Sequence, residues 1–391
     1  MKILTITGDT ERLVLHFDAD LDLESPRRPE NYTVAGQHPA FVTAVGRWAT
    51  LHGFRLEQKE HPVHIAGVAG QSGEPLDPES RRLTYLPPYR RRRVRVTAVQ
   101  PLRITETGMD YPAYLRYVMT LVDRAGQMGS DVVCLPESVQ YQPGKAKPDM
   151  FEPVSGPYGR MLMERAKRYG MYVLGALYER QGETLYNVAV LFDRQGESVW
   201  RYQKVFVVEG THVVPGDTFP VHRTDFGVIG AMICFDMLFP EGPAIMGLRG
   251  AEIIFFPHGI GGIQTSEESV VTVSRARALD NCLYVVPNGF GRLVARGEGN
   301  FGRSCIINPS GAIVADAGHG PGLASAVIDL EEIRLAQGYG GPSLYNDVRA
   351  RLIRERRADI LQELADLARS RQEEMWFHQR YSGAGERKPE C

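Results

Sequence analysis

Val132-Val133-Cys134-Leu135-Pro136-Glu137 is apolar at every position until Pro136 and ends on a carboxylate. Successive strand residues point to opposite faces, so a run apolar on both faces belongs to a sheet covered on both sides. Ile253-Ile254-Phe255-Phe256 reads the same way. Two further stretches share the layout of the first. Tyr202-Gln203-Lys204-Val205-Phe206 and Ala231-Met232-Ile233-Cys234-Phe235-Asp236-Met237-Leu238-Phe239-Pro240-Glu241 each place one reactive side chain beyond an apolar run. A carboxylate, an ammonium and a thiol from three strand ends supply a base, an oxyanion stabiliser and a nucleophile, the parts for acyl transfer.

Around these stretches, helices and strands alternate. Helices are expected at about Pro112–Met128, Tyr158–Tyr169, Glu241–Leu248 and Glu267–Asn281. Strands are expected at Val94–Gln100, Asp131–Leu135, Tyr172–Tyr178, Leu185–Phe192, Glu197–Tyr202, Val228–Cys234, Glu252–Phe256, Leu283–Val286, Cys305–Asn308 and Ala324–Ile328. Residues 1–89 differ: short β-type runs (Arg12–Phe17, Asn31–Val34, Phe41–Val45, His61–Val68) alternate with turn residues, without helical period, and read as an all-β sandwich. The Pro87-Pro88-Tyr89 connector and the arginines after it place a boundary near residue 90. A catalytic α/β domain is expected over 90–332 and a helical extension over 333–391, whose stripe through Val348, Leu352, Ile360, Leu364 and Leu367 predicts one helix from Asp347 to Phe377. A helix this charged needs a surface to lie on, either a second subunit or the N-terminal module.

The chain has 391 residues and a formal net charge of −2, which offers no general attraction to nucleic acid or an anionic membrane. The basic run Arg90–Arg93 is too short to change that. Partners are expected to be a small-molecule substrate and copies of the chain itself. Five widely spaced cysteines without a Cys-x-x-Cys pair point to a reduced, cytoplasmic setting. Gly8, Asp9, Glu11 and Arg12 interrupt the N-terminus before any signal-type apolar region, and the most apolar stretch, Gly227–Phe235, is too short to span a bilayer. The close pair His61 and His64 reads as two strand residues rather than metal ligands. The glycines Gly259 to Gly262 lack the spacing and context of a dinucleotide loop.

Each reactive residue has an ordinary alternative: Cys234 as a small core residue, Glu137 and Glu209 as solvated loop carboxylates, Lys204 as an exposed strand-end lysine. Their joint arrangement argues for chemistry. The Phe239-Pro240-Glu241 segment reads as a helix start, which would bias the Cys234 thiol towards thiolate.

From about Arg93 to Leu330 the chain resembles the nitrilase superfamily of carbon-nitrogen hydrolases. Leu135-Pro136-Glu137 is similar to the motif of the family's general base, Tyr202-Gln203-Lys204 to its lysine motif, and Ile233-Cys234-Phe235-Asp236 to its nucleophile motif. Glu209 before Val214-Pro215-Gly216-Asp217 resembles the second, positioning glutamate of amidase members. Arg275–Asn281 resembles the family's Arg-Ala-x-Glu-Asn helix, and Gly302–Gly311 its last hairpin. The N-terminal stretches Leu13–Asp22, Pro29–Val34 and Val63–Leu76 are similar to a bacterial immunoglobulin-like domain. The resemblance implies a four-layer α-β-β-α sandwich, a Glu137-Lys204-Cys234 catalytic set assisted by Glu209, an oxyanion held by Lys204 and the Phe235 N–H, and no metal or organic cofactor. Tyr141, Leu238 and His258 are expected to line the substrate pocket.

Nitrile-acting members usually carry Cys-Trp-Glu at the nucleophile, whereas Cys234-Phe235-Asp236 resembles the amidases. Relatives that read a substrate carboxylate carry arginine three or four residues after the cysteine, where this chain has Met237 and Leu238. A neutral or apolar primary amide is the expected substrate, unless Arg292 or Arg296 enters the pocket. N-carbamoyl compounds and nitriles are the alternatives within the superfamily, and a weakly catalytic scaffold acting through the β module and C-terminal helix is the alternative outside it.

Overall fold

The computed structural model describes residues 1–8, 11–56, 60–85, 92–208, 212–259, 267–292, 302–335, 352–353 and 355–381. The chain divides into two compact units, Met1–Arg92 and Arg93–Cys391.

The first unit contains β1 (Ile3–Gly8), β2 (Arg12–Phe17), β3 (Tyr32–Val34), β4 (Phe41–Val45), β5 (Trp48–His52), β6 (His61–Ile65) and β7 (Arg82–Tyr85). They form a four-stranded sheet in the order β1-β2-β5-β4 and a three-stranded sheet β3-β6-β7. Alternation puts Leu13, Leu15, Phe17, Ala49 and Leu51 of one sheet and Tyr32, Val34, Val63 and Ile65 of the other into one apolar core. On the opposite face of the larger sheet, cross-strand partners stack: His16 on Trp48 at 3.8 Å and Phe41 on His52 at 4.4 Å between ring centroids. His61 and His64 fall on opposite faces of β6, one buried and one exposed, which rules out their ligating one ion together.

The second unit opens with β8 (Arg93–Gln100), β9 (Val132–Cys134) and β10 (Tyr172–Gln181), which run parallel, followed by antiparallel β11 (Thr184–Phe192) and β12 (Ser198–Gln203). A second sheet repeats this pattern. Its strands β13 (Val221–Arg223), β14 (Val228–Ala231), β15 (Ile253–Pro257), β16 (Tyr284–Asn288), β17 (Cys305–Ile307) and β18 (Ile313–Asp316) lie side by side in chain order, with β14, β15 and β16 parallel. Finally β19 (Gly322–Asp329) returns to the first sheet, antiparallel to β8. The helices of this unit are the single turn α1 (Ile104–Thr107), α2 (Tyr111–Gln127), α3 (Pro157–Tyr169), α4 (Glu241–Leu248), α5 (Glu267–Asn281), the short α6 (Glu332–Leu335) and a last helix, Ala358–Tyr381.

Alternation explains the layers. Val94, Val96, Val132, Cys134 and Leu174 face the second sheet, packing with Ile229, Ile253 and Phe255. Their neighbours Val133, Leu135, Val173 and Val190 face the other way, onto Leu115, Val118, Met119 and Val122 of α2 and Leu162 and Ala166 of α3. With α5 on the outer side of β16 and β17, the result is the expected α-β-β-α sandwich.

Three boundaries differ from expectation. The strand expected to reach Cys234 stops at Ala231, because Asp236 turns the chain back at Ile233. The edge strands β13 and β18 had not been expected: they are partly exposed and lack a continuous apolar run. The C-terminal helix begins at Ala358 rather than Asp347; residues 355–357 are non-helical, and Arg357 pairs with Asp359 in the new first turn. Residues 347–351 lie outside the described set.

Candidate active site

In open α/β sheets, functional groups gather beyond the carboxyl ends of parallel strands. Glu137 follows β9, Lys204 follows β12, Cys234 follows β14 and His258 follows β15. Because β12 is antiparallel to β11, itself antiparallel to β10, its carboxyl end shares an edge with that of β9. The structure therefore brings Glu137, Lys204 and Cys234 together.

Glu137 is 3 % exposed and Lys204 wholly buried, with Lys204 Nζ donating to Glu137 Oε1 at 2.9 Å. Asn187 Nδ2 donates to the same oxygen at 2.7 Å, and the Gly259 N–H donates to Oε2 at 3.0 Å. Burial pushes the Glu137 carboxyl up, but the Lys204 ammonium and the hydrogen bonds from Lys204, Asn187 and Cys234 outweigh it and hold the group below the ordinary carboxylate range. The Cys234 thiol lies beside the Glu137 carboxylate and the Gly259 backbone N–H, and both act on its proton. Burial, reinforced by the neighbouring carboxylate, pushes this thiol well above its ordinary value. The expected bias towards thiolate is thus reversed: α4 begins only at Glu241, too far for its dipole to act, and the thiol rests protonated beside an ionised carboxylate.

Backbone strain flanks both groups. Ser138 has φ 69° and Cys234 φ 52°, a region that non-glycine residues occupy at a cost on the order of 1–3 kcal/mol each. What holds the cysteine turn is Asp236, fully buried and two residues on. Its Oδ2 accepts the Tyr202 hydroxyl at 2.6 Å and the Ile233 N–H at 2.9 Å, and its Oδ1 accepts the Phe206 N–H at 2.8 Å. One carboxylate thereby joins the nucleophile turn to both flanks of Lys204. Burial raises its pKa to about 6 against these three hydrogen bonds.

Residues 95–337 match the family model described as carbon-nitrogen hydrolase. The chain belongs to this family. It is 30 % identical over 224 residues to the omega-amidase NIT2 of Xenopus tropicalis, covering 54 % of this chain and 81 % of that one. It is also similar to the deaminated glutathione amidase of Mus musculus, at 29 % over 230 residues, covering 54 % and 71 %. Among solved structures, Saccharomyces cerevisiae Nit3, a member of branch 10 of the nitrilase superfamily, superposes with a TM-score of 0.55 at 24 % identity, covering 64 % of this chain and 96 % of that one. An amidase from Nesterenkonia sp. gives 0.56 at 22 %, covering 71 % and 98 %. The fold is that of the nitrilase superfamily and the protein is a carbon-nitrogen hydrolase enzyme.

The remaining expected positions of this hydrolase fall unevenly. Phe235 sits on the turn Cys234–Leu238, 38 % exposed, its ring edge-on to Phe239. Leu238, at the end of that turn, is 39 % exposed, whereas Met237 is buried in the core and unavailable to a substrate. Tyr141 lies largely exposed after Glu137, and among the described residues no hydrogen bond joins its side chain to the buried pair. His258 is buried, stacked on Phe256 and kept neutral by burial, with a pKa lowered to about 4. Glu209, Arg296, Gly261 and Gly262 lie outside the described residues. Three contributors had gone unnoticed. Asn187 is a lone amide in an otherwise apolar strand, Asp236 stands inside the nucleophile motif, and Gly259 opens the glycine run set aside as a failed nucleotide loop. Each carried a visible but unspecific signal. Among the described residues no group of acidic, histidine and cysteine side chains could hold a metal ion, and no helix is long and apolar enough to cross a membrane.

Proposed function

We propose that the protein hydrolyses a neutral primary amide to carboxylic acid and ammonia through a thioester on Cys234. The reading rests on one observation: a buried Glu137–Lys204 pair, 2.9 Å apart, beside a cysteine on a strained turn. Glu137 takes the thiol proton and the sulfur attacks the amide carbonyl carbon. Lys204 and the Phe235 N–H hold the oxyanion, contacts worth about 3–4 kcal/mol per donor. The tetrahedral adduct collapses with cleavage of the carbon–nitrogen bond, Glu137 returns its proton to the nitrogen, and ammonia leaves. The same carboxylate then deprotonates water, which attacks the thioester and releases acid and free thiol. Glu209 serves as the positioning carboxylate.

Relatives named as amidases favour amides over nitriles and carbamoyl compounds. The preference for a neutral substrate is supported by the partly exposed Leu238 where carboxylate-reading relatives carry arginine. A carboxylate pressed against leucine is desolvated without a compensating partner. The N-terminal unit acts as an immunoglobulin-like accessory, and the enzyme works as a cytoplasmic homo-oligomer. Supporting the last reading are the described cysteines, which form no disulfide, and the half-exposed stripe Ile360, Leu361, Leu364 and Leu367.

Steady-state kinetics on matched amides with and without a nearby carboxylate test the specificity. The neutral member should show the higher kcat/KM, and Leu238→Arg should narrow or reverse that order. A clear preference of the unaltered enzyme for the charged amide would refute the assignment of Leu238.

A further inference from the structure

Arg103 follows β8 on the edge that carries Glu137, Cys234 and His258, and no motif in the sequence marks it. Its guanidinium lies 4.8 Å from the centroid of the buried Phe290 ring, and its Nη2 donates to the Gly259 carbonyl oxygen at 2.6 Å. Gly259 is the residue whose N–H reaches Glu137 Oε2 at 3.0 Å, and the same backbone group acts on the Cys234 thiol. It has no side chain to lock it, and none would fit comfortably. A Cβ there would stand 3.0 Å from Ser138 Oγ and 3.3 Å from Glu137 Oε2. Glycine is the most conformationally free residue, so a reactive-site N–H carried by it needs an anchor. The arginine provides that anchor from the segment after β8 of the other sheet, with its planar face supported by Phe290.

We infer that Arg103 is a positioning residue of the hydrolase: it fixes Gly259 so that the Gly259 N–H holds Glu137 and the Cys234 sulfur in register for proton transfer. As the thiol proton passes to the carboxylate, the Gly259 N–H, held at Glu137 Oε2, keeps that oxygen turned towards the sulfur without backbone rearrangement. Arg103 and Glu137 also attract each other electrostatically, which helps keep the carboxylate ionised at rest. This inference rests on Cys234 and Glu137 being the reacting pair.

The test is Arg103→Met, which keeps an apolar stem over Phe290 and removes the donor. Misplacement of a reacting group by about 1 Å costs about a hundredfold in rate. The variant should lose kcat by that order with KM changed less than about threefold, and alkylation of Cys234 by iodoacetamide should slow in parallel. A variant that melts earlier but keeps kcat and alkylation rate would make Arg103 merely structural and overturn the inference. A rise in KM confined to carboxylate-bearing amides, with kcat intact, would make it a substrate-binding residue and overturn it equally. Should Arg103→Met fail to fold, Arg103→Lys decides. It should lose kcat and alkylation rate in the same proportion, and loss of kcat alone would refute the role. Failure of the underlying reading shows separately, as a Cys234 in the unaltered enzyme that iodoacetamide modifies no faster than Cys134, Cys282 or Cys305.

Discussion

Replacing Glu137 by glutamine removes a counter-charge 2.9 Å from an ammonium that has no access to solvent. Breaking a buried ion pair from one side costs about 3–5 kcal/mol. Escape by deprotonating Lys204 at pH 7 is no cheaper, about 4.6 kcal/mol from an unperturbed lysine. The glutamine carbonyl can still accept from Lys204 and Asn187, but its NH2 then meets the Gly259 N–H, which now donates to Glu137 Oε2. The cost should therefore fall in the upper half of that range, on the order of 10 °C in melting temperature for a unit of this size. Lys204→Met is milder, about 1–3 kcal/mol, because Glu137 keeps the Asn187 and Gly259 donors and can take up a proton. The double variant removes both charges at once, and denaturation at pH 7 should find it more stable than Glu137→Gln alone by at least about 2 kcal/mol. A Glu137→Gln protein as stable as the unaltered enzyme, or a double variant in which the two losses simply add, would refute the buried-pair reasoning.

Asp236, with its pKa raised to about 6, must be ionised to accept three hydrogen bonds, so kcat/KM should fall as pH drops through about 6, and Tyr202→Phe, which deletes a bond favouring the ionised form, should move that limb to higher pH. An acid limb seen only below pH 4, where Glu137 itself would take up a proton, would show that Asp236 does not govern the turn. A chain beginning at Tyr89 should fold and retain activity, since the division between the compact units falls after Arg92 and the second has its own cores; insolubility would show that the first unit is needed to complete it.

The buried strands and the two helices Tyr111–Gln127 and Pro157–Tyr169 were legible because burial on both faces and helical period are written in local composition. The position of Glu137 was legible for the same reason, since it follows such a run; Lys204 follows the half-exposed strand Ser198–Gln203 and was legible from its motif. Other features depend on contacts between distant segments. The early end of β14 arises from Asp236 folding back on Ile233, and apolar Met232 and Ile233 disguise it. Thiol chemistry was misjudged because the helix start near Cys234 was visible whereas the carboxylate beside it in space was not. Arg103 meets the site through a backbone carbonyl 156 residues away, a contact that composition does not encode. The long C-terminal stripe was overextended because the break at residues 355–357 lacks a proline or glycine.

The central claim is that Cys234 is the nucleophile, and the most direct measurement is ammonia release from a small neutral primary amide by purified Cys234→Ala beside the unaltered enzyme. With thiol, carboxylate and ammonium acting as one unit, single removal should abolish nearly all turnover, a loss on the order of 10⁴-fold or more, while the melting temperature stays within a few degrees. Retention of more than about one per cent of the unaltered rate by a folded Cys234→Ala protein would contradict the account, because no other described cysteine reaches the Glu137–Lys204 pair.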